Sequence, residues 1–186
     1  MSLLKIPIAL VVMMLVCFVS AAHAQKTAAI LDQIAQSLPQ MDPRWKHRST
    51  EVYKRDDAST QANIKWSNGN IERGATVIVH RSVKKARRAF RTSGKEDLHE
   101  GFRIDGVGYE AFLWPPKSSI DGAYNIRFRK AQVEVWMSGG SELDVKRYAL
   151  AITLAITPTK KQIPRRREAN FFTVTIGLFR LADLHS

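Results

Sequence analysis

The sequence predicts an α+β domain: an antiparallel sheet built from β-hairpins, with helices packed on it. Three observations carry this. The pair Asn68-Gly69 separates two strand-like runs within 62–80, a second alternating pair occupies 124–137, and helix-period apolar positions recur before, between and after them. Helices interleaved with hairpins, instead of with single strands, favour an antiparallel sheet over a parallel one.

The first element is a leader. Lys5 precedes an uncharged run over 6–19 (IPIALVVMMLVCFV), and Ala22-His23-Ala24 supplies the small residues of a cleavage site. Positive start, apolar run and A-x-A together predict a signal peptide over 1–24 and Gln25 as the mature N-terminus. An uncleaved anchor is the competing reading, but the run falls short of the ~20 residues a spanning helix needs, so no transmembrane span is expected after cleavage. Cys17 is the only cysteine, and the bulky Val16 before it fits poorly with a lipid-attachment site. Its loss with the leader leaves a chain without disulfides, thiolate metal sites or cysteine nucleophiles. The remaining residues 25–158, about 130, suffice for one domain with its own core.

Within that domain, residues 27–38 place Ile30, Leu31, Ile34 and Leu38 on one helix face, and Pro39 is expected to end the helix. Residues 41–43 read as a turn. Trp45, Val52 and Tyr53 suggest an extended segment over 44–55, followed by a loop at 56–59. In the first hairpin Ala62, Ile64 and Trp66 alternate with Asn63 and Lys65, and residues 75–80 (ATVIVH) form the return strand; Asn-Gly favours a type I′ turn. A helix then begins after Ser82 as N-cap, with Val83, Ala86 and Phe90 as a narrow apolar stripe and Gly94 at its end.

Residues 109–113 are expected to form a short helical segment after the turn at Gly106-Val107-Gly108. In the second hairpin Ile126 and Phe128 alternate with Arg127 and Arg129, and Val133 and Val135 with Glu134, with the turn near 129–131. Ser141 and Asp144 resemble a capping box for a last helix running to about Ile156, with Val145, Ala149, Ile152 and Ile156 as its buried face and Glu142 paired to Lys146. The expected core is Trp66, Val77, Val79, Ile126, Phe128, Val133, Val135 and Ile152. Residues 159–186 join a basic run (Lys160, Lys161, Arg165, Arg166, Arg167) to an apolar stretch over 171–184. An extra strand, a membrane-contacting tail and a segment adding little to the fold all fit this composition; the reading adopted is a poorly packed C-terminal tail.

The chain carries 29 Lys and Arg against 17 Asp and Glu; without Lys5 the balance is 28 against 17, or +11. Such a surface attracts polyanions, although charge can also serve solubility alone. Arg81, Lys84, Lys85, Arg87, Arg88 and Arg91 lie within eleven residues with no acid among them. They form either an anion-binding face or the solvated back of a helix. Nucleic acid is disfavoured as a partner, because no aromatic is interleaved with these cations on the exposed side and no zinc-finger or RNP signature occurs. The leader points instead to an anionic envelope component: lipid, lipopolysaccharide or glycan.

Catalytic and cofactor signatures are lacking. His47, His80, His99 and His185 show no metal-ligand spacing, and His80 reads as a sheet-edge residue. No G-x-S-x-G elbow is present, and Gly106-Val107-Gly108 lacks the third glycine of a dinucleotide-binding loop, so no cofactor is expected. Asp105 and Glu110 could together do acid and base work, but serve more simply as turn and first-turn residues.

The run Gly106-Val107-Gly108-Tyr109-Glu110-Ala111-Phe112, followed by Tyr124-Asn125-Ile126-Arg127-Phe128-Arg129-Lys130 and a closing helix, resembles a pattern of small bacterial exported domains. These are α+β sandwiches of the PsbP and Mog1 type, found among lipoproteins and extracytoplasmic sensors. The likeness covers about 60–157; Tyr109 replaces the usual acidic residue and Ala131 stands where a turn glycine is usual. It implies a non-enzymatic role with no catalytic residues. The expectation is therefore an exported, periplasmic or secreted, binding or accessory domain, with Phe112 and Trp114 as its contact surface unless Trp114 folds onto the core. The alternative is an envelope-associated structural protein that uses the basic helix on anionic lipid or glycan. A hydrolase around Asp105 and Glu110 is a third reading.

Overall fold

Alternation and turn chemistry generate seven strands, and a computed structural model describes residues 8–97, 101–116 and 123–156. The elements are α1 (Ile8–Met41), β1 (Lys46–Lys54), β2 (Thr60–Asn68), β3 (Ile71–Val79), α2 (Val83–Asp97), β4 (Phe102–Arg103), β5 (Glu110–Trp114), β6 (Tyr124–Lys130), β7 (Val133–Gly139) and α3 (Glu142–Ala155). They form one antiparallel sheet in the order β1-β2-β3-β7-β6-β5-β4. The fold is α+β, as the sequence predicts. Residues 159–186, read as a tail, lie outside the described residues.

Both hairpins occur where the sequence puts them, with different turn geometry. Asn68 pairs with Ile71, so Gly69 and Asn70 are the central residues. Only Gly69 has positive φ, at +58°, which suits a turn with glycine in its first central position and not type I′. In β6 and β7, Lys130 pairs with Val133, and Ala131 takes the left-handed position at φ +52°. The two hairpins join at the centre of the sheet, where Val77 pairs with Val135.

One face of the sheet is apolar. Ala62, Ile64 and Trp66 of β2, Ala75, Val77 and Val79 of β3, Val133, Val135 and Met137 of β7, and Ile126 and Phe128 of β6 are buried there. Leu31, Ile34, Ala35 and Leu38 of α1 and Val145, Tyr148, Ala149 and Ile152 of α3 join the same core. All eight expected core residues belong to it. At the start of α3 the Ser141 hydroxyl accepts from the Asp144 amide at 3.1 Å, and Lys146 pairs with Glu142 one turn along.

Four local expectations are corrected. Helix α1 continues through Pro39 to Met41. A proline there deprives the carbonyl of Ala35, four residues back, of its helical donor. The Trp66 indole N–H donates to that oxygen at 2.7 Å, so a side chain of β2 completes the helix. Gly94 lies inside α2, not at its end. Residues 109–113 are not helical: β5 occupies 110–114 and pairs Ala111 with Phe128 and Leu113 with Ile126. His80 is no edge residue; it follows the interior strand β3, is 4% exposed, and its amide donates to the Gln132 carbonyl at 2.9 Å.

Candidate functional site

The side chains that alternate with the core point to the opposite face, and pairing aligns them in rows across the sheet. One row runs Glu51, Asn63, Thr76, Trp136, Arg127, Phe112; another runs Gln61, Ile78, Glu134, Arg129, Glu110. Helix α2 lies over this face on β6 and β7. Its N-cap is Ser82, whose hydroxyl accepts from the Lys85 amide at 3.2 Å. Ala86 and Phe90, two residues of the predicted stripe, are buried against the sheet, while Val83 is half-buried.

Under and beside α2 the charges are paired. The Arg127 guanidinium donates to Glu134 Oε1 through Nε at 2.9 Å, and its Nη2 stands 2.6 Å from the same oxygen. It also sits 5.0 Å from the Phe90 ring and 5.6 Å from that of Trp136, a favourable cation–π arrangement. His80 Nε2 is 3.5 Å from Glu134 Oε2. Next to this cluster, Arg129 donates from Nε to Glu110 Oε2 at 2.9 Å and from Nη1 to the Ala131 carbonyl at 2.9 Å. Arg91 of α2 reaches the other oxygen of Glu110 at 3.1 Å.

These contacts set the state of both acids. Burial pushes the Glu110 carboxyl up, but the hydrogen bonds and charges of Arg129 and Arg91 outweigh it and hold the group below the ordinary carboxylate value. Burial likewise opposes ionisation of Glu134, and His80 and Arg127 overcome it. Each acid is held ionised and engaged. Asp105, the other half of the acid pair considered from sequence, is exposed.

No protein-family model matches this chain, and no curated protein or solved structure matches it.

The predicted anion-binding residues divide into two groups. Lys84, Lys85, Arg87 and Arg88 are exposed and have no acidic partner among the described residues. Arg91 differs, because Glu110 neutralises it, and exposed Arg81 donates from Nε to the Ala58 carbonyl at 3.3 Å. Phe112 and Trp114, the predicted contact surface, are half-buried in an aromatic chain. Phe90 lies 5.9 Å from Phe112, Phe112 lies 6.2 Å from Trp114, and Trp114 stacks on Trp136 at 5.7 Å with a 7° interplanar angle.

Trp136, at the end of that chain, is 39% exposed. It borders an open depression of about 320 Å³ over β1, β2, β3 and β7, also lined by Glu51, Asn63, Lys65, Gly74, Thr76 and Ser138. Among the described residues no three or more His, Cys, Asp or Glu gather as metal ligands, and no helix is long and apolar enough to cross a membrane.

Sequence reasoning missed the buried charges and Trp136. Arg127, Arg129 and Glu134 alternate with core residues and so read as solvent-facing. The available signal was complementarity: once the hairpin is in register, Arg129 stands directly opposite Glu134 and Arg127 opposite Trp136.

Proposed function

We propose that this protein is an exported, non-enzymatic binding or accessory domain that meets its partner with the α2 face of the sheet. The observation that carries the reading is the division of charge on that face. The acids Glu110 and Glu134 are engaged by buried guanidinium groups, whereas Lys84, Lys85, Arg87 and Arg88 project outward without acidic partners among the described residues. Cations left in this state raise the local concentration of polyanions. The same feature favours the second reading, an envelope-associated structural protein held on anionic lipid or glycan by α2.

Export is supported by where burial begins in α1. Ala21, Ala22, Ala24 and Gln25 are exposed, and the buried side chains described in this helix, Thr27, Leu31, Ile34, Ala35, Ser37 and Leu38, all follow the cleavage site. Removal of residues 1–24 leaves all of these buried side chains in the chain and breaks one contact among them, the hydrogen bond from Thr27 Oγ1 to the His23 carbonyl at 3.0 Å. Kinship with the PsbP and Mog1 domains is part of the proposal and rests on the run 106–112, where Gly106 and Gly108 both take positive φ and the Tyr109 amide donates to the Arg129 carbonyl at 2.7 Å.

Two experiments test the reading. N-terminal sequencing of the protein recovered from outside the cytoplasm is expected to begin at Gln25; a chain retained inside with an intact Met1 overturns export. Co-sedimentation with phosphatidylglycerol vesicles is expected at low salt, and to fall away at high salt and in the variant with Lys84, Lys85, Arg87 and Arg88 all changed to Gln. Binding indifferent to both salt and charge removal overturns the role of α2.

A further inference from the structure

The depression beside Trp136 has a chemistry distinct from that of α2. Its polar groups contact one another: Tyr53 donates its hydroxyl to Glu51 Oε2 at 2.7 Å, Glu51 Oε1 faces Lys65 Nζ at 4.0 Å, and Thr76 Oγ1 donates to Asn63 Oδ1 at 3.2 Å. The charges of Glu51 and Lys65 cancel, so the depression offers one strong acceptor and one strong donor with no net charge. Gly74, opposite Lys65 in the sheet, contributes no side chain to the floor. Trp136, an exposed side chain, forms one wall, and its ring stacks with Trp114 and lies 5.6 Å from the Arg127 guanidinium.

We infer that this depression is a subsite for one neutral hexopyranose unit of a glycan. A pyranose ring presents an apolar C–H face, which suits the electron-rich face of an exposed indole. Its edge carries hydroxyls that both donate and accept, which suits an adjacent carboxylate, ammonium and amide. The volume lies at the lower end of the range for small-ligand sites, about 300–1,000 Å³. Charge cancellation argues against an anionic occupant here, and a purely apolar occupant would bury Glu51, Lys65 and Asn63 without hydrogen-bond partners of its own.

This inference rests on the binding-domain reading, but not on its anionic partner or on α2. Isothermal calorimetry of the purified protein with tetramers of β-1,4-linked glucose and of β-1,4-linked N-acetylglucosamine tests it, at about 0.5 M salt, where the Debye length is only a few ångström. Saturable binding of one or both is expected. Trp136→Ala is expected to lower the affinity about tenfold or more. Gly74→Val is expected to abolish binding while the protein stays folded, because a Cβ at Gly74 meets nothing closer than the Ile64 carbonyl at 3.8 Å. Changing Lys84, Lys85, Arg87 and Arg88 to Gln is expected to leave it unaltered. Absence of heat with both tetramers at millimolar concentration overturns the inference, and so does undiminished affinity in folded Gly74→Val. Vesicle binding that persists alongside either negative result leaves the α2 reading standing and removes only the subsite.

Discussion

Trp66→Phe is expected to destabilise the protein by two separable routes, and a double-mutant cycle with Pro39 separates them. The indole N–H is the donor to the Ala35 carbonyl in the core, and Pro39 has no N–H to take its place. A buried acceptor left unsatisfied costs about 1–3 kcal/mol. The smaller phenyl ring also leaves unfilled volume at a fully buried position, for roughly 1–2 kcal/mol more, below the cost of truncation to Ala. The single substitution should therefore cost about 2–5 kcal/mol. Pro39→Ala restores a backbone donor four residues after Ala35, so the carbonyl no longer depends on Trp66. In that background Trp66→Phe should lose only its packing share, so the coupling equals the acceptor share, about 1–3 kcal/mol. Urea unfolding followed by far-ultraviolet circular dichroism gives the four free energies, with an unchanged m-value as the condition for comparing them. If Trp66→Phe costs the same in both backgrounds within about 0.5 kcal/mol, the indole does not complete the helix and the reasoning fails.

Glu110→Ala leaves the Arg129 guanidinium buried without its carboxylate and should cost about 3–5 kcal/mol, whereas Arg91→Ala removes an exposed partner and should cost under about 1 kcal/mol; equal shifts in thermal unfolding would contradict this assignment. Gly108→Ala should cost more than about 2 kcal/mol by urea titration, since φ is +61° and the new Cβ would stand 2.6 Å from the Arg129 carbonyl oxygen; wild-type stability would refute the close approach. Stability should also fall in acid. Glu110 and Glu134 titrate below the ordinary carboxylate value in the fold, so the unfolded chain binds more protons as pH drops; their contribution is complete above the unfolded value and is lost as pH falls through the folded values. Urea titrations between neutral and acid pH check this, and a slope unaltered in Glu134→Gln would show that Glu134 is not one of the groups responsible.

The fold was legible where one element determined itself. Gly69 at the first turn, Ser141 at the start of α3 and the alternation of Val133 and Val135 each follow from local chemistry, and each is found in place. Legibility failed where a distant residue decided the outcome. Pro39 reads as a helix end because its own neighbourhood holds no replacement donor, and the donor that lets α1 continue comes from Trp66 in another element. Residues 109–113 read as a helix because Glu110 suits a first turn. Yet Glu110 is fixed by Arg129 across the sheet, and Ala111 and Leu113 carry the strand's buried alternation.

The same distinction explains why the candidate site was only half visible. Alternation tells which residues leave the core face, but not whether anything covers the other one. Arg127, Arg129 and Glu134 look from sequence like any solvent-facing residues of a hairpin. What separates them from Lys84, Lys85, Arg87 and Arg88 is that each has a complementary group within hydrogen-bonding or ion-pair reach on a neighbouring strand, as a charge beneath a helix must. The cover then has a border. Helix α2 spans β6 and β7 but leaves the β1 to β3 side open, and Trp136 stands where the covered part meets the open part. Its ring contacts Trp114 and Arg127, and it lines the depression together with Thr76 and Gly74. The exposure of Trp136 follows from where α2 lies: over β6 and β7, and short of the sheet's β1 edge.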